Sequence, residues 1–472
     1  MITKRNPVFR RFAWIGLAVA VLCATPSYSL AQDEGGSGSD KQQFQLGEKV
    51  SDALQKLKPL QDAKDYAGML NVVNQQLAAA KPDSYDAAYL LDIKARIYLQ
   101  LDQLTQAIEP WEQVLRLSEQ HGYKDEKERL DIMKFLAQLI FMEATKAKEH
   151  TANQQALIAQ AGNYLQRYLS RAPKPEPEMQ VLYANILYAE ATSDDKHIDQ
   201  QKLKQAKTII EHGMLSEIRP KEGFYMLMLA VLQQENDYVN SARYMELLLA
   251  QYPNKKDIWP TLFGTYVNLA NSAKAESREQ RDYFIRAINT VERAQKLGFM
   301  NTPHDNYNLF TVYLNAGYVV EACDLLYDGM KKGTIESKVE NWKILGAYYQ
   351  QANKNLQAIA ALKQATRLFP HEGSLDLLIG QIYQQMDKIK EAHEAYARAV
   401  KKGHLGDKPH QAWLYLAYTA LELEDYKGAL AAIESAEKLP GGSNDPQVKS
   451  LKTGIIATIQ EREAAKAAAK KL

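Results

Sequence analysis

Cysteine is nearly missing from this 472-residue chain, which carries only Cys23 and Cys323. A charge excess of one sign is missing too, with 58 Lys and Arg against 57 Asp and Glu. Nucleic acids and anionic membranes select for a strong basic surplus, so the balance argues against either as the main partner. The 24 glycines and 16 prolines are too few for a collagenous or low-complexity chain. No apolar run reaches the roughly 20 residues of a membrane span. The run at 14–24 (WIGLAVAVLCA) stops short of that, and Met226 to Leu232 is the densest later stretch.

The short apolar run has the context of an export signal. Lys4, Arg5, Arg10 and Arg11 precede it, and no acidic residue occurs before Asp33. Ser29-Leu30-Ala31 places small residues where a signal peptidase reads, so cleavage is expected after Ala31 and the protein is expected in the periplasm. Leu22 stands where a lipobox before Cys23 needs a small residue. Removing 1–31 takes four basic residues and no acidic one, which leaves a net charge of −3. Cys323 is then the one thiol left, so an internal disulfide and a structural zinc site are excluded for the exported chain. Residues 32–45 begin QDEGGSGSDKQQ and read as a flexible leader.

From residue 46 the pattern is helix, short turn, helix. Trp342, Leu345, Gly346 and Tyr349 share one helical face, Asn353 and Asn355 mark a turn, and Ala358, Leu362 and Ala365 share a face of a second helix before Pro370. Gly380, Tyr383, Ala392, Tyr396 and Ala399 repeat the frame 34 residues on, and Trp413, Leu416, Ala417, Ala429, Ile433 and Ala436 repeat it again. Leu309, Tyr313, Ala322, Leu326 and Gly329 fit before it, as do Leu91, Ala95, Tyr98, Ala107, Trp111 and Val114 near the start. Small residues at Gly346 and Ala358 let the two helices approach closely, and the large ones fill the space above and below.

This pattern resembles the tetratricopeptide (TPR) repeat, whose W-x2-L-G-x2-Y, A-x3-L-x2-A and P positions are all present at 339–370. The resemblance implies an all-α, right-handed superhelical solenoid of about ten helix pairs, starting near residues 46, 84, 128, 178, 222, 257, 303, 339, 373 and 410. Residues 46–220 read as irregular repeats and 221–443 as a regular array. A C-terminal capping helix and tail follow at 444–472, since the last repeat of a solenoid exposes its apolar face. Three pairs are stretched between their helices, at Ala137 to Ala161, Ala184 to Ala206 and Phe263 to Ala287, and lengthened helices are expected there.

Signatures of catalysis are missing. There is no His-Glu-x-x-His, no P-loop, no Gly-x-Ser-x-Gly and no Gly-x-Gly-x-x-Gly, and Cys323 lies inside a repeat helix. His404 and His410 flank a glycine-containing loop without a third ligand, which favours a surface loop over a metal site. The chain is therefore expected to be non-catalytic and to need no cofactor.

TPR arrays bind peptides or protein domains along the concave face, so the resemblance implies that helix positions 2, 5, 9, 12 and 13 of each first helix carry the contacts. In this register the candidates are Tyr307, Thr311, Lys343, Gln350, Gln351, Gln381, Gln384, Gln385 and Tyr418, with Ser374 and Leu414 on the same positions. The Lys and Asn set that clamps a C-terminal carboxylate in chaperone-binding members is absent. A neutral, amide-lined groove suits an extended backbone, whose N–H and C=O groups need partners.

A narrower likeness covers about residues 222–460. RAQKLGFMNTPHDNYNLFTVYLNAGYVVEAC, NWKILGAYYQQ, LLIGQIYQQMDKIKEAHEAYARAVKKG and AWLYLAYTALELEDYKGALAAIESA occur in an order similar to periplasmic TPR proteins described as components of the TonB system. That likeness implies an adaptor for the complex that powers outer-membrane uptake. A cell-envelope assembly factor that binds outer-membrane proteins or peptidoglycan enzymes is the alternative, because amide grooves suit unfolded strands equally well.

Overall fold

The computed structural model describes residues 44–146, 151–194 and 197–469. The expected signal peptide, nearly all of the expected leader and the last three residues lie outside them. The chain divides into two compact units, at residues 1–253 and 254–472. All secondary structure among the described residues is helical.

The first unit holds five TPR-like pairs. They are α1 (Glu48–Asp62) with α2 (Tyr66–Ala79), α3 (Tyr85–Gln100) with α4 (Ile108–His121), α5 (Glu126–Lys146) with α6 (Ala152–Arg171), α7 (Pro177–Ala191) with α8 (Gln200–Leu215), and α9 (Glu222–Gln234) with α10 (Tyr238–Gln251). The second unit holds five more: α11 (Ile258–Ser272) with α12 (Arg278–Lys296), α13 (Pro303–Asn315) with α14 (Val319–Lys332), α15 (Val339–Gln351) with α16 (Asn355–Leu368), α17 (Gly373–Gln385) with α18 (Ile389–Lys402), and α19 (Pro409–Glu422) with α20 (Tyr426–Lys438). Helix α21 (Pro446–Ala469) follows them.

One turn geometry joins seven of the ten pairs. Lys64, Asp102, Asn236, Gly317, Asn353, Asp387 and Glu424 each close the first helix in the left-handed region, with φ between 55° and 87°. The next backbone N–H then reaches back to a carbonyl five residues earlier, as Lys354 does to Tyr349 at 2.7 Å and Lys388 to Tyr383 at 3.0 Å. Such a bond satisfies a helix-end carbonyl that has no partner within the helix. The carboxylates of Asp65, Asp237 and Asp425 then accept the N–H of Gly68, Asn240 and Gly428 and start the second helix.

The three remaining pairs are the stretched ones. In the third, both helices are lengthened, to 21 and 20 residues. In the sixth, α12 is lengthened to 19 residues. The fourth departs from the expectation: α7 stops at Ala191 and α8 starts at Gln200, and the described residues between them, 192–194 and 197–199, are not helical. The Asp199 carboxylate accepts the N–H groups of Gln201 and Lys202 and fixes where α8 begins.

Repeat positions fill the cores. Trp342, Leu345, Ala358, Leu362 and Ala365 are fully buried in the second unit. An added Cβ on Gly346 would stand 3.0 Å from Leu362, and on Gly380 2.4 Å from the Tyr396 ring, which is why these crossings need glycine. In the first unit Trp111 is buried and stacks on Phe135 at 5.2 Å. Helix α21 covers α20 with Val448, Leu451 and Ile455, and Lys452 pairs with Glu437 at 2.6 Å. Among the described residues no helix is long and apolar enough to cross a membrane.

Candidate peptide-binding surface

The candidate residues lie on α13, α15, α17 and α19, the first helices of four consecutive pairs in the second unit. A capping box starts α13: the Thr302 hydroxyl accepts the Asp305 N–H at 3.2 Å, the Asp305 carboxylate accepts the Thr302 N–H at 3.1 Å, and Pro303 occupies the first turn. Tyr307 follows, half-buried, with its ring 5.4 Å from that of Phe310. Thr311 is exposed one turn later and donates its hydroxyl to the Tyr307 carbonyl at 3.0 Å.

On α15, Lys343 lies 3.5 Å from Glu372, the residue preceding α17. Gln350 donates through Nε2 to Oε1 of Gln385 and so joins α15 to α17. Gln384 points to the partner helix instead, where its Oε1 accepts the Tyr396 hydroxyl at 2.7 Å. Gln381 is half-buried and Gln351 exposed, and neither side chain makes a hydrogen bond among the described residues. Tyr418 is half-buried at the side of the last core cluster.

Gln350 and Gln385 therefore meet across two helices and Thr311 bonds the Tyr307 backbone, whereas Lys343 and Gln384 pair with residues outside the candidate set. Ser374 and Leu414, on the same helix positions, are buried and belong to packing. The surface that remains is made mainly of side-chain amides, a hydroxyl and two half-buried tyrosines, with the Lys343 charge met by Glu372. Side-chain amides both donate and accept, which is the chemistry an extended polypeptide backbone requires.

Two features escaped the sequence. Asp376 takes the place that Trp342 holds one pair earlier, and its buried carboxylate pairs with Arg398 at 3.0 Å and Lys402 at 2.7 Å. A carboxylate at a core position is the signal that foretells two cations nearby. His410 is not on a surface loop: it is buried at the start of α19, and Nδ1 donates to the Pro440 carbonyl at 2.9 Å while Nε2 lies 3.2 Å from Asp445. It ties the last pair to the connection before α21. Among the described residues no three His, Cys, Asp or Glu side chains are grouped to hold a metal ion.

No family model matches the chain, and no curated protein matches it. Solved structures with some similarity include MamA from Desulfovibrio magneticus RS-1, at 16% identity over 38% of this chain and 94% of that one, with a TM-score of 0.27. The chain is also similar to YrrB, described as a TPR protein with an unusual peptide-binding site, at 17% identity over 39% of this chain and 88% of that one, with a TM-score of 0.27. The P58(IPK) TPR domain aligns over 88% of this chain and 99% of its own length, at 13% identity and a TM-score of 0.22.

Proposed function

We propose that this chain is an exported, non-catalytic scaffold of the bacterial cell envelope that holds an extended, largely uncharged stretch of a partner protein along α13, α15, α17 and α19. The observation that carries it is the amide-rich face of those helices, where Gln351 and Gln381 hold amides free to pair, Tyr307 and Tyr418 are half-buried, and the Lys343 charge is met by Glu372. A backbone laid on such a face exchanges water for amide hydrogen bonds without burying a charge. The basic, apolar and small-residue order of 1–31 supports export to the periplasm. The likeness over 222–460 supports a partner within a TonB-type energy-transducing transport system.

Immobilised protein is expected to retain TonB-complex components from a membrane extract, and a Tyr307→Ala, Gln351→Glu, Gln381→Glu variant is expected to lose them. Retention of outer-membrane proteins or peptidoglycan enzymes alone would overturn the TonB assignment in favour of envelope assembly.

A further inference from the structure

Four aromatic rings from three parts of the first unit meet at one point. We infer that they mark a receptor for an extended segment of a partner protein, covered here by the chain's own residues 44–47. Tyr85 and Tyr89 belong to α3, Tyr123 to the connection after α4, and Phe44 to the stretch before α1. The Phe44 ring stacks on Tyr85 at 5.3 Å and meets Tyr123 edge-on at 4.9 Å. Tyr85 stands 5.6 Å from Tyr123 and 6.2 Å from Tyr89, and His121 stacks on Tyr123 at 5.1 Å. Offset and edge-on pairs at such separations are the favourable aromatic geometries.

The receptor side holds its shape through bonds that do not involve residues 44–47. The Ser84 hydroxyl accepts the Ala87 N–H at 3.2 Å and caps α3, which sets Tyr85 in the first turn. Gly122 ends α4 with a φ of 76°, and the chain turns back toward the start of α3. There the Tyr123 hydroxyl donates to the Asp83 carbonyl at 2.7 Å, and Lys124 pairs with the buried Asp92 at 3.1 Å. The notch is therefore built before anything fills it, which lowers the cost of binding. Residues 44–47 sit in it as a ligand would. Phe44 and Leu46 are half-buried while Gln45 and Gly47 are exposed, the alternation of an extended segment lying on a surface. The Gly47 N–H donates to the Asp86 carboxylate at 2.9 Å, and a Cβ on Gly47 would stand 2.7 Å from that carboxylate. The chemistry recognised is an aromatic residue, a spacer, an aliphatic residue and then glycine. Proline in the last place has no N–H to give. The resident segment lowers the apparent affinity for any competitor, so a partner must match all three contacts to displace it.

The full chain is tested by fluorescence anisotropy with a labelled peptide of the resident sequence, KQQFQLGE, and its Phe44→Ala and Gly47→Pro versions. A Phe44→Ala, Leu46→Ala variant of the chain is expected to bind the unaltered peptide about tenfold more tightly than the parent does, because its own segment no longer fills the notch. Both altered peptides are expected to bind about tenfold more weakly than the unaltered one. Adding Tyr85→Ala to the variant is expected to abolish binding. If circular dichroism shows that chain unfolded, Asp86→Ala replaces Tyr85→Ala, and Phe44→Ala alone replaces an unfolded double variant. Gln351→Glu with Gln381→Glu leaves peptide binding unchanged, which separates this receptor from the amide-lined face. Equal binding by parent and variant, equal binding of the unaltered and Phe44→Ala peptides, or no binding to either chain would overturn the proposal. A dimeric parent beside a monomeric Phe44→Ala, Leu46→Ala variant in sedimentation would make a second copy the occupant and overturn the partner assignment.

Discussion

The Tyr349 hydroxyl donates to Asp324 Oδ1 at 2.8 Å and joins the first helix of one pair to the second helix of the pair before it. The same repeat position makes the same junction with other chemistry in its neighbours. Tyr313 donates to Glu292 at 2.5 Å, and the Tyr383 hydroxyl accepts from Lys363 at 2.9 Å. Burial and the adjacent Asp324 carboxylate both push the Tyr349 hydroxyl above the usual tyrosine range, so it stays a donor at any ordinary pH. Tyr349→Phe is expected to cost about 1 kcal/mol, the usual worth of one net hydrogen bond. Urea unfolding with an unchanged slope is the check.

Glycine is required unequally at the two crossings that depend on it. The Cβ of Gly380→Ala would meet the buried Tyr396 ring at 2.4 Å, whereas that of Gly346→Ala would meet the Leu362 side chain at 3.0 Å. Overpacking of this kind costs about 1–3 kcal/mol. Chemical denaturation is expected to place Gly380→Ala at the upper end and Gly346→Ala at the lower end. The reverse order would mean that the Tyr396 ring yields more easily than Leu362.

Acid is expected to loosen the first unit through Asp92. Burial on its own raises this carboxyl, but Lys124 at 3.1 Å, Arg96 at 3.2 Å and the Trp111 indole N–H at 3.0 Å outweigh it and hold the group below its ordinary value. Its contribution is complete above the unfolded carboxylate value of about 3.9 and is lost as pH falls through the lower folded value. Asp92→Asn leaves Lys124 largely buried without its main partner, at a cost of roughly 3 kcal/mol at neutral pH. Thermal unfolding from pH 7 to pH 2 is expected to show less acid sensitivity in the variant than in the parent.

Cys323 is fully buried on α14, and burial followed by the nearby Asp324 pushes its thiol up to about 12. A thiolate is the reactive form, so an aromatic disulfide reagent is expected to label it only as fast as the second unit opens. Labelling at the rate of a free thiol in native buffer would show that α14 frays.

The helix pairs were legible because their signal is local. Spacing of Trp342, Leu345, Gly346 and Tyr349 specifies a helical face without reference to anything distant, and the pair starts follow from repeating it. The connection after Ala191 was misjudged because its polar residues tolerate helix and loop alike, and only the placement of Asp199 as a cap decides between them. Partners far apart in the chain were not legible. Asp92 and Lys124 are separated by 32 residues, and nothing local tells a solvated aspartate from one buried under three donors. The face of Gln384 is a matter of rotation about one helix: its position lies on the groove side, yet the Tyr396 hydroxyl draws it to the partner helix.

Hydrogen–deuterium exchange of the full chain with and without captured partner protein tests the binding face most directly. Slowed exchange is expected along α13, α15, α17 and α19, with α14, α16, α18 and α20 little changed. Protection confined to the long helices α5 and α6, or to the connection between α7 and α8, would contradict binding on the amide-lined face.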